Sequence, residues 1–262
     1  MNWLLLRGLA RERRHWHDFP LLLGKQLAGG RIHLIDVAGA GTERRRLPRP
    51  SVEWLARDIA RRVPELASGT GDGWSLLGLS LGGMLSLELC WLFPDRIQQA
   101  VIINASGRLS ERGARLRLGA VPSFARLLLE ADPRRRERCL LELTSALPPA
   151  AKNGYVERAV RIADESPVRR VAVMSQLLAA ARFWPPPREG LRARVLFLAS
   201  RNDALVSPAS SRALARLYGA PYEEHPNAGH DLPLDDPHWL CERIARFERD
   251  AREPWAALTA LP

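Results

Sequence analysis

The chain has 262 residues, of which 46% are hydrophobic and 26% are charged. This balance excludes an intrinsically disordered chain and fits one large globular domain or two small ones. Lysine and arginine number 39 against 29 aspartates and glutamates, a net charge of +10 that raises the question of an anionic partner. The basic residues are spread along the chain rather than gathered in one arm, so we expect no nucleic-acid partner.

Cysteine usage and hydropathy indicate the compartment. Cys90, Cys139 and Cys241 lie far apart without CxxC spacing, which predicts neither a disulfide framework nor a thiolate metal site. The apolar run near the N-terminus is too short for a signal peptide, and no stretch approaches the roughly 20 apolar residues that span a bilayer. We therefore expect a cytoplasmic protein without membrane association.

Short apolar runs alternate with longer amphipathic ones along most of the chain. The short runs are nearly continuous, as expected of parallel strands buried on both faces, and cover 3–6, 32–37, 74–79, 100–103 and 195–199. Helical patterns cover 19–27, 51–63, 81–92, 208–217 and 239–250. This alternation predicts an α/β fold with an open, mostly parallel sheet flanked by helices.

Residues 106–187 break this alternation. They contain no convincing strand but four Leu-, Ala- and Arg-rich helical patterns, at 124–130, 135–143, 155–163 and 168–183, separated by prolines. We predict a helical cap of residues 106–187, inserted into a core formed by 1–105 and 188–262. Six of its apolar side chains either line a pocket for an acyl chain or pack the cap helices together: Leu127, Leu128, Met174, Leu177, Phe183 and Trp184.

A G-x-S-x-G pattern follows the third predicted strand and precedes a predicted helix. It reads Gly78-Leu79-Ser80-Leu81-Gly82. Small residues suit a strand that turns abruptly into a helix, because backbone there passes close to backbone. Ser80 is therefore a candidate nucleophile, and a simple turn serine is the alternative.

A serine hydroxyl is a weak nucleophile that needs a base and a group to orient that base. Asp203 follows the strand predicted at 195–199, and His230 lies on a turn after a short strand-like stretch at 222–225. The order nucleophile, acid, histidine at the carboxyl ends of successive strands places all three at one edge of the sheet. Asp203 could instead cap the helix that follows it.

Other polar residues near these positions have simpler interpretations. Asp231, Asp235 and Asp236 follow the histidine, and we expect them to lie on the surface, cap the last helix or brace its turn. His15 and His17 are two residues apart without a third ligand cluster, so we predict no metal site.

Over nearly its whole length the chain resembles the α/β-hydrolase superfamily. The resemblance rests on GLSLGG around Ser80, RVLFLASRND around Asp203 and HPNAGHDLPLDDP around His230. In addition, RGLA at 7–10, with Trp16 downstream, is similar to the HG…W loop of capped members. In plan the chain resembles the capped serine carboxylesterases, among them the pimeloyl-carrier-protein methyl esterases and the enol-lactonases.

This resemblance implies roles for individual residues. Ser80 would be the nucleophile, His230 the general base and acid, and Asp203 its orienting carboxylate. The backbone N–H groups of Leu9 and Leu81 would form the oxyanion hole. Arg7 stands where the family usually has histidine, which affects the geometry of that loop more than the chemistry.

The implied activity is hydrolysis of a carboxylic ester or thioester through an acyl-enzyme, with no cofactor and no metal. The partner is a small-molecule substrate, which could be anionic or carrier-linked. An acyltransferase, a lactonase or a carbon–carbon hydrolase on the same three residues are alternatives. A non-catalytic basic binding protein of the same fold is a further alternative, suggested by the charge of +10 and by Arg7.

Overall fold

The computed structural model describes residues 2–27, 30–68, 73–109, 115 and 117–250. Six strands form one sheet in the order β2-β1-β3-β4-β5-β6, and every neighbouring pair is parallel. The strands are β1 (Asn2–Leu6), β2 (Arg31–Ile35), β3 (Trp74–Leu79), β4 (Ile97–Ile103), β5 (Arg194–Ser200) and β6 (Tyr222–His225). All five runs expected to be strands are strands, and the strand-like stretch is the edge strand β6.

Eleven α-helices of the described residues surround or extend from this sheet. They are α1 (Phe19–Gln26), α2 (Val52–Arg62), α3 (Pro64–Ala67), α4 (Leu81–Leu92), α5 (Val121–Leu129), α6 (Pro133–Thr144), α7 (Pro149–Glu165), α8 (Arg170–Arg182), α9 (Pro208–Tyr218), α10 (Leu232–Asp235) and α11 (Pro237–Asp250). No helix of these residues is long and apolar enough to cross a bilayer.

Two apolar clusters cover the two faces of the sheet. Successive residues of β1 alternate between them, since side chains along a strand point to opposite faces. Leu4 and Leu6 pack in the cluster that contains α2 and α4. Trp3 and Leu5 pack in the cluster that contains α1 and α11. Burial on both faces explains why the strands are continuously apolar.

The helices α5–α8 lie between β4 and β5, and we call residues 117–182 the helical segment. The structure describes no strand in that stretch. Pro133 and Pro149 occupy the first position of α6 and α7, where the missing proline N–H costs no hydrogen bond. The division of the chain into a core and a cap at 106–187 stays a prediction.

The carboxyl ends of the parallel strands share one edge of the sheet. The residues that directly follow β1, β3 and β4 are Arg7, Ser80 and Asn104. The loops after β5 and β6 carry Asp203 and His230. Polar residues from five loops therefore meet where open α/β sheets place their ligands.

Candidate active site

Ser80 sits in a sharp turn between β3 and α4. Its backbone has φ 59° and ψ −117°, a strained conformation for a residue with a side chain. The turn requires glycine on both sides. A Cβ at Gly78 would lie 2.2 Å from the Gly82 carbonyl oxygen, and one at Gly82 would lie 2.0 Å from the Leu6 carbonyl oxygen. The spacing G-x-S-x-G is thus imposed by the close passage of three backbone segments.

Asp203 and His230 meet across the loops after β5 and β6. Asp203 Oδ2 lies 2.6 Å from His230 Nδ1. The other carboxylate oxygen, Oδ1, accepts the backbone N–H groups of Leu205 and Val206 at 2.8 Å each. Asp203 does not cap α9, because Ser207 fills that role. Burial lowers the pKa of His230, but the Asp203 carboxylate, aided by that of Asp231, outweighs this effect and raises the pKa above its ordinary 6.5.

Ser80 and His230 line the same cavity, which has a volume of about 480 Å³. Among the described residues no hydrogen bond joins Ser80 Oγ to the His230 ring. Such contacts are often long in free enzymes and tighten when substrate binds. Apolar side chains make up much of the wall, including Leu79, Met84, Phe124, Leu127, Leu140 and Leu177.

The cavity includes two of the six apolar side chains considered for an acyl pocket. Leu127 and Leu177 line it. Phe183 is buried in the core cluster of α2 and α4. Met174 and Trp184 are exposed, by 44% and 60%. The Leu128 side chain lies outside the described residues.

The loop after β1 packs directly against Ser80. A Cβ built on Gly8 would lie 3.3 Å from Ser80 Cβ and 3.9 Å from Ser80 Oγ. Leu9 and Leu81 both line the cavity. Leu81 is the first residue of α4, so its N–H has no partner within the helix and lies at the positive end of the helix dipole. Neither N–H is a donor in the hydrogen bonds of the described residues.

The expectation that Asp231 lies on the surface is wrong. It is 7% exposed, and both of its oxygens accept hydrogen bonds from Arg7, at 3.0 Å from Nη1 and 2.6 Å from Nη2. Although burial opposes it, the guanidinium holds the pKa of Asp231 below its ordinary value. Sequence alone gave no sign of this pair, since its members lie 224 positions apart.

The two neighbouring aspartates behave as expected. Asp235 braces the turn, because it accepts the N–H groups of Ala146 and Gly229. Asp236 caps α11 by accepting the N–H of Trp239 at 3.0 Å.

Asn104 is a buried site residue that the sequence analysis missed. Its Nδ2 donates to the His230 carbonyl at 2.8 Å and to Ser200 Oγ at 3.1 Å. Its Oδ1 accepts the Ser200 N–H at 2.8 Å. A polar residue in the loop just beyond a buried strand is one of the signals that suggested Asp203, and Asn104 also follows a buried strand.

Gln176 of α8 is a second missed residue. Its side chain accepts the Ala10 N–H at 2.8 Å and donates to the Ala38 carbonyl at 2.9 Å. Arg11 in the same loop donates to Glu137 of α6 at 2.7 Å. The helical segment is therefore anchored to the loop that packs on Ser80, a contact that no local pattern predicts.

His15 and His17 belong to the loop that follows β1. His15 Nδ1 accepts the Glu12 N–H at 3.1 Å, and burial lowers its pKa well below the ordinary value. Burial, aided by the Arg7 charge, lowers the pKa of His17 to about 4. Within the described part of the chain no group of three or more His, Cys, Asp or Glu residues is placed to hold a metal ion.

A parallel sheet flanked by helices, with a serine on a strand-to-helix elbow at its carboxyl edge, is the architecture of α/β-hydrolase-type enzymes. Comparison with known proteins gives the family. The model of the alpha/beta hydrolase family matches residues 3–243, and the chain belongs to that family.

Several relatives resemble the chain along most of its length. Mouse sn-1-specific diacylglycerol lipase ABHD11 is 24% identical over 249 residues, covering 93% of this chain and 80% of the lipase. The pimeloyl-[acyl-carrier protein] methyl ester esterase of Cronobacter sakazakii is 26% identical, covering 88% of this chain and 90% of the esterase. The crystal structure of the esterase RhEst1 from Rhodococcus sp. ECU1013 has the same fold, with a TM-score of 0.72, 20% identity and coverage of 94% and 90%.

Proposed function

We propose that the chain is a serine hydrolase that cleaves a carboxylic ester or thioester through an acyl-enzyme on Ser80. The observation that carries this proposal is the 2.6 Å contact between Asp203 and His230, whose ring lines the same cavity as Ser80. A histidine held this way by a buried carboxylate is the base that a serine nucleophile needs.

Each group would have one role in the first half of the reaction. Ser80 Oγ attacks the carbonyl carbon while His230 Nε2 takes the hydroxyl proton. Asp203 accepts the Nδ1–H and stabilises the imidazolium. The Leu9 and Leu81 N–H groups bind the oxyanion, and losing one such donor costs about 3–4 kcal/mol of transition-state stabilisation.

Collapse of the tetrahedral intermediate completes acylation. The bond to the leaving group breaks, and His230 gives its proton to the departing alcohol or thiol. Water then attacks the acyl-enzyme with His230 as base, which releases the acid and regenerates Ser80.

The cavity and the relatives support an acyl substrate. The helical segment contributes Phe124, Leu127 and Leu177 to the apolar wall, which suits an acyl chain, and we propose that the segment acts as a cap over the site. The relatives' names, a diacylglycerol lipase and an esterase of a carrier-protein methyl ester, favour an acyl ester as substrate, and the second name points to an acyl group linked to a carrier.

Three arginines on the cavity favour an anionic group on the substrate. Of the five arginines that line it, Arg115, Arg136 and Arg170 form no ion pair with a carboxylate within the described residues. The Arg115 guanidinium donates to two backbone carbonyls, those of Ala180 and Ala181. Comparing esters of equal chain length that end in a methyl group or in a carboxylate tests this preference. A faster reaction of the carboxylate ester is the expected result.

Hydrolysis of short p-nitrophenyl esters tests the activity itself. We expect Ser80→Ala to lower kcat/KM by at least about 10³-fold. Ser51→Ala removes a hydroxyl from the start of α2, outside the cavity, and should retain most activity. Undiminished hydrolysis by Ser80→Ala would overturn the proposal. Partition of the acyl group between water and added alcohols, thiols or amines distinguishes a hydrolase from an acyltransferase.

A further inference from the structure

Two loops that carry the proposed chemistry are joined by one buried ion pair. Arg7 precedes Gly8 and Leu9 in the loop against Ser80, and Asp231 directly follows His230. The guanidinium and the carboxylate form two parallel hydrogen bonds, and the two residues are only 3% and 7% exposed. Two parallel hydrogen bonds fix the relative orientation of the guanidinium and the carboxylate as well as the distance between them.

Each partner is also held from a second side. The Arg7 guanidinium lies over the Trp16 ring, 4.9 Å from its centroid. The Asp231 N–H donates to the Thr144 carbonyl of α6 at 2.7 Å. A buried ion pair contributes little to stability beyond what apolar side chains of the same shape would give. Stability therefore does not explain why a buried ion pair stands at this place.

We propose that Arg7 and Asp231 are positioning residues, which lock the loop carrying the Leu9 N–H to the loop carrying His230 so that oxyanion donor and base keep a fixed relation to Ser80. This inference rests on the proposed function. The family resemblance placed a histidine at position 7. In this chain an arginine reaches the carboxylate beside the base instead.

The charges around His230 make the pH dependence of activity a test of this role, because a purely structural role would leave the pKa of His230 unchanged. Asp203 and Asp231 favour its protonated form, and Arg7 opposes it. Arg11 and His17 also face Asp231, and His17 is neutral at pH 7. Since Arg7 and Asp231 offset each other, neutralising Asp231 leaves a net positive charge beside the imidazole.

The test compares pH profiles and kinetic constants. In Asp231→Asn we expect the acid limb of kcat/KM to move to lower pH by about half a unit, with kcat reduced about tenfold. We expect KM to change less than about twofold, because the lost contact does not bind substrate. Arg7→Lys keeps the charge without the two parallel hydrogen bonds, so kcat should fall while the acid limb stays in place.

Asp58 provides a matched control. It is 1% exposed and accepts hydrogen bonds from Arg46 and Arg62, but it lies on α2 away from the cavity. Asp58→Asn should lower thermal stability and leave the pH profile and kcat unchanged. If Asp231→Asn does not fold, Arg7→Met combined with Asp231→Leu replaces the pair by apolar side chains and should fold with reduced kcat.

The outcomes separate this inference from the proposed function. If the wild-type protein hydrolyses esters through Ser80 but Asp231→Asn and the apolar double variant keep its kcat and acid limb, the positioning role is overturned alone. A wild-type protein that neither hydrolyses esters nor reacts at Ser80 overturns the proposed function, and this inference with it.

Discussion

His230 Nδ1 lies 2.6 Å from Asp203 Oδ2, and the second oxygen of the same carboxylate accepts two backbone N–H groups from residues 205 and 206. Both oxygens are thus engaged, one by the loop and one by the imidazole. The carboxylate cannot turn without breaking the loop's hydrogen bonds, so the orientation of the histidine is set by the backbone after β5.

Replacing Asp203 by asparagine tests this arrangement. The amide oxygen can keep the two backbone hydrogen bonds, but an NH₂ group then faces Nδ1 and stabilises the wrong tautomer of His230. We expect kcat to fall by about 10³- to 10⁴-fold with little change in Tm. Asp95→Asn, at an exposed ion pair with Arg192, should leave kcat unchanged. A loss below tenfold in Asp203→Asn would contradict the assigned role.

The pH dependence of kcat/KM follows from the raised pKa of His230. The base must be neutral to take the Ser80 proton, so activity is present above this pKa and is lost as pH falls through it. The acid limb should therefore have its midpoint above 6.5, the ordinary value for histidine. Measurement needs initial rates from about pH 5 to 9, and a midpoint below 6 would show that Asp203 does not dominate the environment of the ring.

Asn104 should influence the position of His230 through a hydrogen bond to the backbone of that residue. Its φ of 49° is one that asparagine tolerates, and its amide donates to the His230 carbonyl. Asn104→Asp keeps the acceptor for Ser200 but loses this donor. We expect the free energy of unfolding to fall by about 2 kcal/mol and kcat to fall with it. Denaturant titration measures the free energy of unfolding, and kinetics on the same sample measure kcat. Unchanged values of both would show that the hydrogen bond from Asn104 to the His230 carbonyl is dispensable.

Gly8 should be sensitive to a single methyl group. Its absent Cβ would contact the Ser80 side chain at 3.3 Å, so Gly8→Ala should displace either the loop or the nucleophile and reduce kcat by about tenfold or more. Gly154 on α7 is the matched control, because a Cβ there meets nothing within 4 Å. Gly154→Ala should keep full activity and gain about 0.5–1 kcal/mol of stability. Equal activity of the two variants would argue against a tight loop at Ser80.

Much of the fold could be predicted because its signals are local. Each strand is a short apolar run buried on both faces, and the helical patterns at 124–130, 135–143, 155–163 and 168–183 correspond to α5–α8 with ends shifted by a few residues. Two of the shifts occur where prolines set the helix starts, since Pro133 and Pro149 begin α6 and α7 earlier than the apolar periodicity does.

The proximity of the candidate site residues was predictable from chain order and strand ends. Ser80, Asp203 and His230 each follow a strand, so the parallel sheet alone brings their loops to one edge. The partners that hold these loops were not predictable in the same way. Asp231 looked like a surface residue because nothing in the sequence around position 231 points to Arg7. Gln176 lies within the predicted helical pattern at 168–183, and only the docking of α8 brings it to Ala10.

The most direct test of the proposed chemistry is reaction with a fluorophosphonate, which forms a covalent adduct with an activated serine much faster than with an ordinary one. Peptide mass spectrometry should find one adduct, on Ser80, formed at least about 10³-fold more slowly in His230→Ala. A wild-type protein that stays unlabelled, or that is labelled on another serine, would contradict the assignment of Ser80 as nucleophile.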